Sequence, residues 1–93
     1  MAKASGAISF SGGFLDGEVR GWREEWPPPE HLVAARSKNG TTSVAAPGAR
    51  LDEILPDLLR ECWVVRYARL RSLDDVPRVA LYGYDGALSR SGA

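Results

Sequence analysis

Reactive side chains are scarce in this chain of 93 residues, which holds one cysteine, one histidine and one methionine. A lone Cys62 excludes an intramolecular disulfide and any zinc site built on several thiolates, and it fits a reducing compartment. A lone His31 cannot make a metal site by itself. No stretch approaches the ~20 apolar residues of a membrane span. The opening "MAKASGAISF" lacks the apolar run of a signal peptide, so no membrane partner is expected and the cytoplasm is the expected location. An excess of one charge is missing too. Twelve basic and twelve acidic side chains cancel, so no global field draws the protein to nucleic acid or an anionic membrane.

What is present describes an ordinary soluble domain: 44% apolar and 26% charged residues. The length allows one domain, 1–93, with residues 1–6 and 86–93 expected to be flexible because they lack apolar anchors. Arginine far outnumbers lysine, which occurs only at Lys3 and Lys38, and alanine and glycine are abundant. These residues share GC-rich codons, a mark of origin and not of mechanism.

The glycines at 12, 13, 17 and 21 in "SFSGGFLDGEVRGW" invite comparison with a phosphate cradle. A P-loop needs a lysine and a hydroxyl after its last glycine, and no lysine lies between Lys3 and Lys38. A dinucleotide fingerprint needs G-x-G-x-x-G opening a helix, a spacing these glycines do not have. They read instead as bends between strands.

The expected fold is α+β: a small antiparallel sheet of about five or six short strands arranged as hairpins, with one short helix near 51–60. Ala7–Ser11 reads as a strand with Ile8 and Phe10 on one face, returning through Asp16-Gly17 as a type I′ turn into Glu18–Arg23. "EEWPPPE" reads as a polyproline surface connector or edge. His31–Arg36 and Thr41–Ala46 flank a second hairpin signal, Asn39-Gly40. Leu51, Ile54, Leu55, Leu58 and Leu59 fall at helical spacing, with Pro56 expected to start or kink a short helix. Cys62–Arg71 and Pro77–Tyr84 read as a strand pair. Placing Tyr67 opposite Tyr82, Val65 opposite Tyr84 and Leu70 opposite Val79 puts aromatics on one face and aliphatics on the other.

Catalysis has no positive signal. Cys62 opens an apolar strand, where free cysteine usually acts as a small hydrophobe, and His31 follows three prolines and a glutamate. Glu24-Glu25 point to opposite faces of a strand, and Asp74-Asp75 suit a turn. The expectation is a non-enzymatic protein without a cofactor or metal. Binding has better candidates. Arg66 and Arg69 lie near Tyr82 and Tyr84, a mixture that grips single-stranded nucleic acid or forms protein hot spots. Trp22 and Trp26 stand just before the prolines, whose fixed course would lower the entropic cost of docking. The candidate binding residues are therefore Trp22, Trp26, Arg66, Arg69, Tyr82 and Tyr84, set against an ion-paired sheet face and a structural use of the tryptophans.

"FSGGFLDGEVR" at Phe10–Arg20 resembles the F-x-G-G-x-x-D-G opening of small proteins encoded by bacteriophages of actinobacteria. The closing "YARLR…PRVALYGYDG" is similar to the strand pair with which many of them end. The resemblance covers about a third of the chain, and Phe14 stands where many members have proline. It carries no catalytic residue. It implies a small protein that binds a host bacterial protein in the host cytoplasm, and in some cases inhibits host growth. The alternatives are a single-stranded nucleic-acid binder using the C-terminal hairpin, which zero net charge disfavours, and a minor virion or assembly component. Strand pairing at the hairpin edge leaves a homo-oligomer open.

Overall fold

The computed structural model describes residues 6–46, 48–75 and 77–88. In chain order these form β1 (Gly6–Ser11), a 3-10 turn (Gly13–Leu15), β2 (Val19–Trp22), β3 (His31–Arg36), β4 (Thr42–Ala45), α1 (Ala49–Glu61), β5 (Trp63–Leu73) and β6 (Arg78–Ala87). Of the ends expected to be flexible, 1–5 and 89–93 lie outside the described residues. Gly6 already belongs to β1, and Gly86 and Ala87 belong to β6.

The architecture is α+β, with one curled six-stranded sheet in the order β2-β1-β6-β5-β3-β4 and one helix. The sheet is mixed and not purely antiparallel. β1 lies parallel to β6, with Phe10 beside Tyr82 and Ile8 beside Ala80. Period-2 alternation identifies a strand and its inner face but carries no direction for partners some seventy residues apart, so the hairpins were legible and this pairing was not.

Two apolar layers follow from the alternation. Ile8, Phe10, Leu15, Leu32, Ala34, Val65, Tyr67, Ala80 and Tyr82 fill the inside of the curl. On the outer side Val33, Ala35 and Val64 pack under Leu51, Leu55 and Leu58 of α1. β3 therefore has four consecutive buried residues, Leu32–Ala35, the pattern of a strand covered on both faces. Inside the curl, Phe10 meets Tyr67 edge-on at 4.9 Å between ring centres, and Tyr82 at 5.9 Å. Each such pair contributes about 0.5–1.5 kcal/mol beyond its buried area.

The helix is longer than expected, running thirteen residues through Pro56. Pro56 lies on the exposed side, where its ring meets solvent and the helix loses a backbone bond without exposing its packed face. The β5–β6 register also differs from the expected one. Tyr67 lies opposite Tyr84, Arg69 opposite Tyr82 and Leu73 opposite Val79, with irregularities at Arg66/Tyr67 and Arg69/Arg71. β5 runs on through Leu73, so Leu73 and not Leu70 faces Val79, three positions from the expected register. The extra residue of the bulge at Leu70 takes back one of them, leaving the tyrosines two positions off.

Candidate interaction surface

The glycine-rich stretch closes one end of the curl. Gly13 has φ +64°, and an added Cβ would stand 2.5 Å from the Tyr67 hydroxyl. The Tyr67 Oη donates to the Gly12 carbonyl at 2.6 Å and accepts from the Leu15 N–H at 3.1 Å. Burial pushes the Tyr67 phenol above its ordinary value, with the Leu15 N–H pulling the other way. The turn at Asp16-Gly17 is not type I′. Asp16 has φ −52° and ψ 127°, only Gly17 has positive φ, and the Glu18 N–H bonds the Leu15 carbonyl. That is a type II turn, set by the preceding 3-10 turn.

The proline segment closes the other end, and it is not a mere surface connector. Pro28 is fully buried, and the Trp26-Pro27 peptide is cis. Arg69 Nη1 donates to the Pro28 carbonyl, and the Tyr82 hydroxyl to the Pro29 carbonyl. The Arg69 N–H also bonds the Glu30 carbonyl at 2.7 Å. Trp26 lies against Gly6 and donates its Nε1–H to Asp74 at 2.9 Å. Trp22 packs on the inner core and donates to the Glu25 carbonyl at 3.0 Å. Among the six candidate residues, Trp22, Trp26, Arg69 and Tyr82 thus gather around this segment. Tyr82 is only 1% exposed.

The other two lie elsewhere. Arg66 is ion-paired with Asp85 at 2.9 Å on the outer side of the sheet. Tyr84, 43% exposed, stands edge-on to Tyr67 at the glycine-rich end. His31 and Cys62 are not brought together. β3 and β5 pair so that His31 lies beside Ala68 and Arg36 beside Trp63, five strand residues or ~16 Å apart. Among the described residues no group of three or more His, Cys, Asp or Glu could hold a metal, and no helix is long and apolar enough to cross a membrane.

Sequence reasoning missed a different surface. The strand registers align three rows across the outer side of β2, β1, β6 and β5: Gly21, Ala7, Val79 and Leu73; Val19, Ser9, Leu81 and Arg71; and Ser11, Gly83 and Ala68. Leu70 lies over Gly83. α1 packs over β3 and β5 instead, so Val19, Leu70 and Leu73 remain 65%, 67% and 39% exposed. The signal was present in the alternation of these strands, whose outer positions are small or apolar and seldom charged.

The curl also leaves a seam. β2 and β4 are the two edges of the sheet, and they are linked by a side chain, Arg20 Nη2 donating to Thr42 Oγ1 at 2.7 Å. The same guanidinium holds Glu18 at 2.9 Å. Beside this link runs a groove of about 510 Å³, lined among others by Ile8, Trp22, Arg23, Glu24 and Val44. Comparison with protein families, curated proteins and solved structures found no match. Function is therefore read from the surface itself.

Proposed function

We propose that this chain is a small non-enzymatic interaction module, phage-encoded as its opening implies, that binds a host bacterial protein through the bare outer face of β2, β1, β6 and β5. The observation that carries this reading is the contrast on one sheet: Val33, Ala35 and Val64 are buried under α1, whereas Val19, Leu70 and, less fully, Leu73 are exposed, with no helix over them among the described residues. Arg71 brings the single charge to the three rows described above. Charge depletion around an apolar centre is the composition of a protein interface. A nucleic-acid face needs several unengaged cations, and here Arg66 is committed to Asp85 and Arg69 to Pro28.

The test is affinity capture from an actinobacterial host expressing the tagged protein, beside the double variant Leu70→Asp, Leu73→Asp. We expect one host protein to co-purify with the wild type, cross-linked to β5 or β6, and capture to fall at least tenfold in the variant. Its unfolding midpoint should be unchanged, since both side chains are exposed. Equal capture by both proteins, or none by the wild type, overturns the reading. Binding to a single-stranded oligonucleotide that weakens steeply with salt would favour the alternative.

A further inference from the structure

The seam between β2 and β4 has the geometry of an empty strand position. In an antiparallel ladder, hydrogen-bonded pairs alternate with non-bonded ones, and the residues of a non-bonded pair turn N–H and C=O away from the partner. The Phe10 N–H bonds the Glu18 carbonyl, so in the β1–β2 register Arg20 and Trp22 face β1 while Val19 and Gly21 turn their backbone groups outward. The Ser37 N–H bonds the Thr41 carbonyl, so by the same count Thr42 and Val44 turn theirs away from β3. Both outward rows face the seam, and among the described residues neither has a strand beside it.

The strand directions agree with this reading. Following the pairings from β1 through β6, β5 and β3, the strands β2 and β4 run the same way. One strand laid between them is antiparallel to both, the stronger ladder geometry on each side. A strand seated between two others needs two interstrand spacings, about 9.6 Å. The Arg20–Thr42 hydrogen bond, one long side chain meeting one short one, is the contact that now holds the two edges across the seam. Arg20 is an inward-pointing charge on an edge strand, a feature that deters indiscriminate edge pairing.

We infer that the seam accepts an extended segment of a partner protein by strand addition, antiparallel to β2 and β4, with the Arg20–Thr42 link swinging aside. The backbone fixes this occupant, because two facing rows of unpaired donors and acceptors are satisfied together only by another extended chain. The pleat fixes its pattern. Alternate side chains point inward to Ile8, Trp22 and Val44 and are apolar. This surface shares the β2 edge with the outer face but uses the backbone groups of Val19 and Gly21 instead of the side chains beside them, and it rests on the interaction-module reading only for the nature of the partner.

A tethered probe tests it. A heptapeptide alternating valine with threonine is fused to the full chain through a flexible Gly/Ser linker, which raises its local concentration to about the millimolar range. In a control fusion, prolines replace the threonines, which removes the donors toward one edge and blocks a continuous strand. We expect amide exchange at Val19, Gly21, Thr42 and Val44 to slow at least tenfold in the first fusion relative to the control. Arg20→Ala should increase that protection, and Gly21→Pro, which removes one outward donor, should reduce it. Equal exchange in the two fusions overturns the proposal, as does protection confined to the outer face. Protection that rises with protein concentration in the unfused chain overturns it too, because the occupant is then a second copy. These outcomes do not depend on host capture, so the seam and the outer face can fail separately.

Discussion

Val64 and Leu70 both lie on the outer side of β5, six residues apart, yet Val64 has no exposed surface and Leu70 keeps 67% of its own. The difference is the reach of one helix. An α-helix with its side chains is about 10–12 Å wide, enough for two or three strands spaced about 4.8 Å apart. α1 covers the β3–β5 side, and among the described residues no second helix lies over the β1–β6 side. Where an outer face is meant for water, alternation places polar residues there. Here Ala7, Val79 and Leu81 sit between Val19 and Leu73 instead. The covered half is a second core, and the bare half has the composition of a core without a lid.

The most severe way to break this comparison is to place the same charge in both halves. Val64→Asp buries an unpaired carboxylate under α1 and should cost about 4 kcal/mol or more, enough to unfold so small a domain. Leu70→Asp should stay within about 0.5 kcal/mol. Urea denaturation followed by circular dichroism measures both. Similar losses in the two variants would show that the bare half is packed in solution.

A smaller but sharper contrast comes from two glycines. Gly13→Ala demands a positive φ of +64° from a residue with a side chain, and sets its Cβ 2.5 Å from the Tyr67 hydroxyl. Backbone strain and a displaced buried hydrogen bond together should cost about 2–3 kcal/mol. At Gly83 the three atoms nearest an added Cβ all belong to the Leu70 side chain, with Cδ1 at 2.9 Å. Leu70 is exposed and free to turn, so Gly83→Ala should cost no more than about 1 kcal/mol. Thermal unfolding of the two variants ranks them, and a reversed order would mean that Leu70 is held in place on the bare face.

Much of this arrangement was legible in the sequence, and what was not has a common cause. Ile8 and Phe10, the Asn39-Gly40 hairpin and the packed row of Leu51, Leu55 and Leu58 are local patterns, and each formed, although Ile54 and Leu59 of the same spacing stay exposed. The parallel β1–β6 pairing depends on a distant partner, and the Tyr67–Tyr84 register on where β5 ends at its connection and on a bulge, to which local periodicity is blind. The candidate surface suffered from the same limit. Recurrence near one hairpin makes the arginines and tyrosines candidates for a binding surface, but Tyr82 and Arg69 point inward to hold carbonyls of the proline segment. Buried backbone carbonyls need donors, and a segment of three prolines supplies none of its own. That need could have been counted from "WPPPE". The exposed apolar row could not, because its exposure depends on where α1 comes to rest.

Tyr82 stands on the inner side of the bare half, so its ionisation tests that half from behind. Burial pushes its phenol up to about 12, with Arg69 acting in the opposite direction. The ordinary value is near 10, so the unfolded chain gives up this proton first. The contribution to stability is complete below about pH 10 and is lost as pH rises toward 12. The physical event is the loss of the hydroxyl proton that bonds the Pro29 carbonyl. Tyr82→Phe should therefore cost about 1 kcal/mol at neutral pH, the worth of a typical hydrogen bond, and should flatten the decline between pH 10 and 12. Tyr67 is also raised, so some slope should remain in the single variant and disappear in the Tyr67→Phe, Tyr82→Phe double variant. An unchanged alkaline decline in the single variant would mean that the proline segment is not held through Tyr82, and that the bare half stands without support from inside the curl.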